Sequence, residues 1–284
     1  MVKKSVAFVV PVLAFAAILL YLIFWNAYYS FTNWSLINNN PSFVGFETYA
    51  QTIATSAFSN SFTHSFEISG VLVFAGNILG ILLAGLLYSI KNARLRITYM
   101  SILIYPLTIS MAANALIFLW LFNPNIGINL LLGYLHLPQP QWLVSGNTLY
   151  SLMLIIVWAY SGISMLFYLA SFMNIDKSII EAAYMDGAHY FRIFRKLLVP
   201  NSMNGFIVST ALLFLFSFRI FSLPFVISGG PVDIYTQTML MYQYHLFTSS
   251  SFAGSSVVDT IVIIVALAVV VPYALIGMKR WIHN

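Results

Sequence analysis

The chain has 284 residues, 61% of them hydrophobic and only 7% charged, with a formal net charge of +5 and no cysteine. Soluble domains carry about 25% charged residues, so a water-facing globule of this size is excluded, and the missing cysteines exclude disulfides and thiolate metal sites. The positive excess is modest and sits in short gaps between apolar runs, which points to membrane topology rather than to nucleic acid.

A bilayer crossing needs about 20 mainly apolar residues. Six segments meet that length, at 6–31, 64–90, 98–121, 149–171, 203–227 and 257–278. The first follows Lys3-Lys4 and is too long for a signal-peptide core, so it is read as an uncleaved span. Pro11, Pro106, Pro224 and Pro272 fall inside spans, where neighbouring helices satisfy the freed backbone. Glu67 and Asp259 read as anions at the starts of spans two and six, where a helix N-terminus favours negative charge. Trp25, Trp34, Trp120 and Trp142 fit an outer interfacial belt, and Trp281 an inner one.

The gaps alternate in charge. Eleven of the twelve Lys and Arg residues lie in 1–5, 91–97, 172–202 and 279–284; the 88 residues of 32–63, 122–148 and 228–256 contain none. Equal density would have put about seven of the eleven on the second side. The bias places both termini in the cytoplasm, and an even number of spans agrees. The outer gaps carry turn clusters such as Asn38-Asn39-Asn40-Pro41 and Ser228-Gly229-Gly230-Pro231 and read as loops.

The 172–202 gap is long and patterned. Asn174 or Asp176 can cap a helix through Glu181-Ala182-Ala183. Gly187 permits a reversal. Phe191, Phe194 and Leu198 then recur on one face of a second helix, with Arg192, Arg195 and Lys196 on another, and Pro200 is expected to end it. Such a pair either lies on the anionic inner leaflet or docks a cytoplasmic partner.

Polar residues at membrane depth line a path or bond between helices. The candidates are Asn77, Tyr105, Thr108, Asn114, Ser161, Ser164, Ser209 and Ser217, with Arg219 in the outer part of span five. Asn77, Tyr105 and Asn114 best suit a sugar, whose sites pair aromatic faces with amides and hydroxyls. The five histidines are scattered with no metal-ligand spacing, so no metal is expected.

The run Glu181-Ala182-Ala183-x-x-Asp186-Gly187, with Pro200 beyond it, resembles the signature loop of binding-protein-dependent ABC importer permeases. Tyr28-Tyr29-Ser30-Phe31-Thr32-Asn33-Trp34, the segment 121–129 and Ser228-Gly229-Gly230-Pro231 resemble the carbohydrate-uptake branch, which includes maltose, trehalose and glycerol-phosphate systems. The chain departs from usual family residues at Asp176, Val199 and Ser222.

The resemblance implies an all-α polytopic permease fold, one transmembrane domain over 1–284, and a coupling loop at 172–202. Glu181, Ala182, Ala183, Asp186, Gly187 and Pro200 would contact an ATPase subunit. The chain has no phosphate-binding Gly-rich Lys-Ser/Thr loop, so ATP and Mg would belong to two separate ATPase subunits. The other implied partners are a second permease, an extracytoplasmic solute-binding protein and a sugar, with asparagine, tyrosine, serine and arginine at 77, 105, 114, 161 and 219 as path candidates. A competing reading is a secondary carrier or channel driven by an ion gradient, which would need in-span carboxylates such as Glu67 or Asp259. An intramembrane enzyme finds no His/Asp/Glu cluster or Ser/His pair at span depth.

Overall fold

The computed structural model describes residues 2–144 and 146–283, and side chains within 10–144 and 146–277. Lys3, Lys4, Lys279, Arg280, Trp281 and His283 therefore lie outside the described side chains. The described residues are almost entirely helical, with one isolated β-bridge between Thr32 and Phe43.

The first span is α1, Val2–Tyr29; it is exposed from Val10 to Trp25, and its last turn is partly buried, with Asn26 bonded to Thr260 of the final helix. An outer segment carrying the short α2, Glu47–Ile53, leads to α3, Ser56–Ser89. Thr55 opens α3 by accepting the Phe58 amide at 3.1 Å on its hydroxyl. The helix starts eight residues earlier than the apolar pattern suggested. At 34 residues it is about 51 Å long, well beyond the hydrocarbon thickness of about 30 Å. Glu67 consequently stands in the interior of α3, not at a helix start, so the N-terminal dipole does not explain it.

The expected third span, 98–121, is broken. Helix α4, Ala93–Thr108, meets α5, Met111–Leu121, at a bend of 93°. Pro106 removes a hydrogen bond from the last turn of α4, and Ser110 caps the new helix by accepting the Ala113 amide at 3.2 Å. The following segment holds α6, Ile128–Tyr134, before the fourth span α7, Asn147–Met173. In this segment Trp142 donates its indole N–H to Asn129 Oδ1 at 2.8 Å and stacks on Phe122. These two contacts fasten the segment.

The 172–202 segment forms α8, Lys177–Met185, α9, Tyr190–Ile193, a π-turn at Phe194–Leu198 and the short α10, Val199–Asn201. The fifth span is α11, Met203–Phe218, continued after a break by α12, Ser222–Ser228. Then follow α13, Met239–Thr248, and α14, Phe252–His283. Asp259 is the eighth residue of α14, so it too is not at a helix start. Among the described residues five helices are long and apolar enough to span a membrane, and six if the bent α4–α5 pair counts as one.

Helices α3, α7 and α11 form the centre, with α4 on α7 and α14 on α11 and α13. Small residues set their spacing. A Cβ on Gly162 would meet Leu103 O at 2.5 Å, and one on Gly205 would meet Phe167 O at 2.7 Å. Water drives no association between apolar helices in lipid, so backbone approach through small residues supplies the packing. Gly162→Ala is expected to push α4 off α7 and cost about 1–3 kcal/mol, lowering the detergent-solubilised melting temperature. Gly146→Ala, where nothing lies within 4 Å, is the control and should leave it unchanged.

Candidate functional site

The 172–202 segment is built from local rules. Asp176, not Asn174, caps α8: its Oδ1 accepts the Ser178 amide at 2.9 Å. That hydrogen bond holds the Asp176 carboxyl below its ordinary value of 3.8. Helix α8 ends in a Schellman motif, with Ala188 N–H bonded to Ala183 O and Gly187 N–H to Tyr184 O, both at 3.0 Å. Gly187 sits at φ +76°, and open space surrounds the position of a Cβ. Glycine is needed there for its backbone angle, not for packing.

Beyond Gly187 the buried face differs from the expected one. Phe191 is 64% exposed; Ile193 and Leu198 are buried, with Tyr190 and Phe194 beside them. Nor does Pro200 end the helix. The ladder widens into the π-turn 194–198, which lets the chain pass a residue that has no N–H and whose ring would strike the preceding turn. The one-residue shift also rotates Phe191 off the face carrying Leu198.

The hairpin is rooted on α3. Tyr190 donates its hydroxyl to Gly85 O, and the Phe194 ring fills the space a Cβ on Gly85 would need. Burial, then the neighbouring Tyr184 and Tyr88, push the Tyr190 hydroxyl up to about 12. It therefore keeps its donated proton at physiological pH. Neither Gly85 nor Tyr190 was marked by the sequence; the only signal is the spacing Gly80-x4-Gly85, which a single chain cannot weigh.

Helix α8 has two faces. Ile180 is buried and Ala183 turns toward the core. Lys177, Glu181 and Tyr184 line a cavity shared with the α3–α4 linker. Ile179, Ala182, Met185 and Asp186 face outward, Met185 at 88% exposure. Of the six signature positions, Ala182, Asp186 and Gly187 are outward and exposed, Glu181 borders the cavity, Ala183 is half-buried, and exposed Pro200 lies on the return helix.

The in-span candidates separate into two groups. Asn77 is a hub: its amide donates to Val73 O at 2.7 Å and Thr210 Oγ1 at 3.2 Å, and its Oδ1 accepts from Tyr168 at 2.9 Å. Ser209 Oγ lies within reach of both Asn77 Oδ1 and Ser164 Oγ. These contacts tie α3, α7 and α11 together. Ser217 donates to its own helix, and buried Asn114 donates to Pro106 O at 3.4 Å across the bend. Tyr105 and Thr108 are exposed. Ser161 borders an open apolar groove of about 840 Å³ between α3 and α7, in which Glu67 is the one carboxylate. Arg219 lines a separate hollow with Tyr160, Phe216, Phe221 and Ser222, where the Tyr160 and Phe216 rings stack at 5.1 Å.

Residues 76–278 match the model of the binding-protein-dependent transport system inner membrane component family. The chain belongs to that family. This permease is 54% identical over its whole length to the glucose import system permease protein GlcT of Saccharolobus solfataricus, covering all of both chains. Two solved structures of a bacterial alginate ABC transporter share its fold. One superposes with a TM-score of 0.80 at 18% identity, over 96% of this permease and 94% of that chain. The other, in complex with an alginate-pentasaccharide-bound periplasmic protein, gives 0.81 at 18%, over 96% and 93%. The permease is thus a multi-pass membrane component of an ABC importer, a transport part and not an enzyme.

Two outcomes test the geometry. Asn77→Leu is expected to cost about 0.6–2 kcal/mol, and a double-mutant cycle with Ser209→Ala should give less than the sum of the two. Asp176→Ala is expected to speed amide hydrogen exchange in the first turn of α8. Because the folded carboxyl titrates below 3.8, the wild-type cap is fully present above that pH. It is lost as pH falls through the lower folded value, and exchange of the two proteins should then converge.

Proposed function

We propose that this permease forms half of the translocation path of an ATP-driven sugar importer, with α8 and α9 as the coupling element gripped by an ATPase subunit. The observation that carries the reading is the hairpin itself. Its outward face presents Ile179, Met185 and Asp186, while its inward face is fixed to α3 through Tyr190, Phe194 and Gly85. A force on α8 therefore reaches a central span through the short turn at Gly187 and the return helix. ATP and Mg reside on two ATPase subunits, a second permease completes the path, and a solute-binding protein feeds it from outside. Both termini and the hairpin lie in the cytoplasm, as the distribution of Lys and Arg favours.

The sugar assignment is supported by the 54% identity to a glucose import permease. The hollow at Tyr160, Phe216 and Arg219 has the character such a cargo needs, since an aromatic platform and a donor lie together. The groove holding Glu67 is the face we assign to the second permease, because an exposed carboxylate among apolar side chains is costly against lipid. In this scheme closure of the ATPase pair moves the hairpins, the central spans rock, and the cavity switches sides.

Glu181→Lys and Gly187→Pro are each expected to leave the assembled complex intact while substrate-stimulated ATPase falls to the basal rate and uptake is lost. Gly85→Ala should do the same by unseating Phe194. Normal stimulated ATPase in all three would remove the coupling role. Sugar uptake by vesicles holding the purified chain alone would favour an ion-gradient carrier, and a label beside Asp186 reachable only from outside would reverse the orientation.

A further inference from the structure

The cavity bordered by Lys177, Glu181 and Tyr184, of about 450 Å³, lies where the α3–α4 linker, the α7–α8 linker and α9 converge. Lys91, Arg96 and Lys177 line it, with Glu181 as the only acid. Among the described residues none of the three cations lies within 4 Å of a carboxylate and none donates a side-chain hydrogen bond. Tyr88 and Tyr184 line the same space, and among the described residues their hydroxyls have no hydrogen-bond partner, while that of Tyr190 is committed to Gly85 O. Three unpaired cations and two free hydroxyls converge on one hollow whose net charge is about plus two. Such a set suits an anion with several acceptor oxygens.

The rest of the cavity narrows the class. Its remaining walls are Ile90, Met173, Ile175 and Ile180, which are apolar, and Ser89, whose hydroxyl is committed to Leu86 O. It is lined in part by Ser89 and Met173, the last residues of α3 and α7, so it lies at the ends of two spans that carry the basic gaps. A charged rim over an apolar floor at that level matches a phosphate group that carries a hydrocarbon tail.

We propose that this cavity is a binding site for a phosphate-bearing group, supplied by the headgroup of an anionic phospholipid in the adjoining leaflet. Lys177 and Glu181 both stand on α8, so an occupant would brace the coupling helix along the face that carries them, beside the one presenting Ile179, Met185 and Asp186. Only this bracing role rests on the coupling function proposed above; the binding itself does not. Free phosphate offers the same oxygens without the tail, and the test separates the two.

The full-length permease, purified in a neutral detergent, is titrated with short-chain phosphatidylglycerol, short-chain phosphatidylcholine and inorganic phosphate. Bound ligand is counted by native mass spectrometry and stability followed by thermal shift. Phosphatidylglycerol is expected to bind one per chain and raise the melting temperature, with phosphatidylcholine inert. Lys91→Gln/Arg96→Gln/Lys177→Gln should weaken binding about a hundredfold. Arg192→Gln/Arg195→Gln/Lys196→Gln removes the same charge from the exposed return helix and should bind as the wild type does. Variant-sensitive binding of inorganic phosphate as well as phosphatidylglycerol supports the site and assigns recognition to the phosphate alone. Equal binding by both triple variants, or no binding to a wild type that elutes as a single folded species, overturns the proposal. The chain is tested without an ATPase, so a negative result leaves the coupling role standing, and loss of coupling leaves the site standing.

Discussion

Everything in this molecule depends on how closely three helices can approach in a solvent that does not push them together. Lipid tails are as apolar as leucine, so α3, α7 and α11 gain little from hiding apolar surface from one another. They gain from contact, and contact needs small residues. Gly162 admits the backbone of α4, Gly205 that of α7, and Gly80 the side chain of Ser164. Once the backbones are near, Asn77, Tyr168, Ser209 and Thr210 reach each other across the gap. The polar network follows from the close packing and then fixes the register of the three spans.

The same constraint explains why the hairpin can act on the spans. Gly85 continues the series of close approaches to the end of α3, and there the residue received is Phe194. The hairpin is therefore seated against the membrane core instead of hanging from it. A Schellman motif at Gly187 makes its turn short, and the π-turn before Pro200 lets the return helix run on to Asn201, directly before α11. A π-turn is less well bonded than an α-turn and recurs where a helix must deform in service. Here it lies between the element that would be pushed and the span that would move.

Legibility in the sequence differed sharply between residues. A cap at Asn174 or Asp176, the turn at Gly187 and the helix between them were readable, because capping and positive φ are decided by a few adjacent residues; Asp176 was singled out by the structure. The approximate places of the spans were readable from hydropathy alone, since length and apolarity are properties of one segment. The bend between α4 and α5 was not: Pro106 and Ser110 are each compatible with a continuous span, and only packing against α7 and α12 selects the break. Phe191 was misassigned because the spacing argument assumes 3.6 residues per turn throughout, and the π-turn breaks that period. Glu67 and Asp259 were misplaced for a simpler reason. Hydropathy marks where lipid contact begins, and these helices start earlier, in the outer segments.

By itself, then, the sequence determined that this chain lives in a bilayer, that it is helical, and where it reverses at Gly187, since composition, backbone pairing in lipid and glycine's steric freedom act locally. Only the tertiary structure decided that Asn77 ties helices together, that Tyr190 and Phe194 root the hairpin on Gly85, and that Lys91, Arg96 and Lys177 share one hollow. Those facts depend on residues tens of positions apart being brought within a few ångströms. No periodicity within one segment encodes that distance; the shapes of facing helices do.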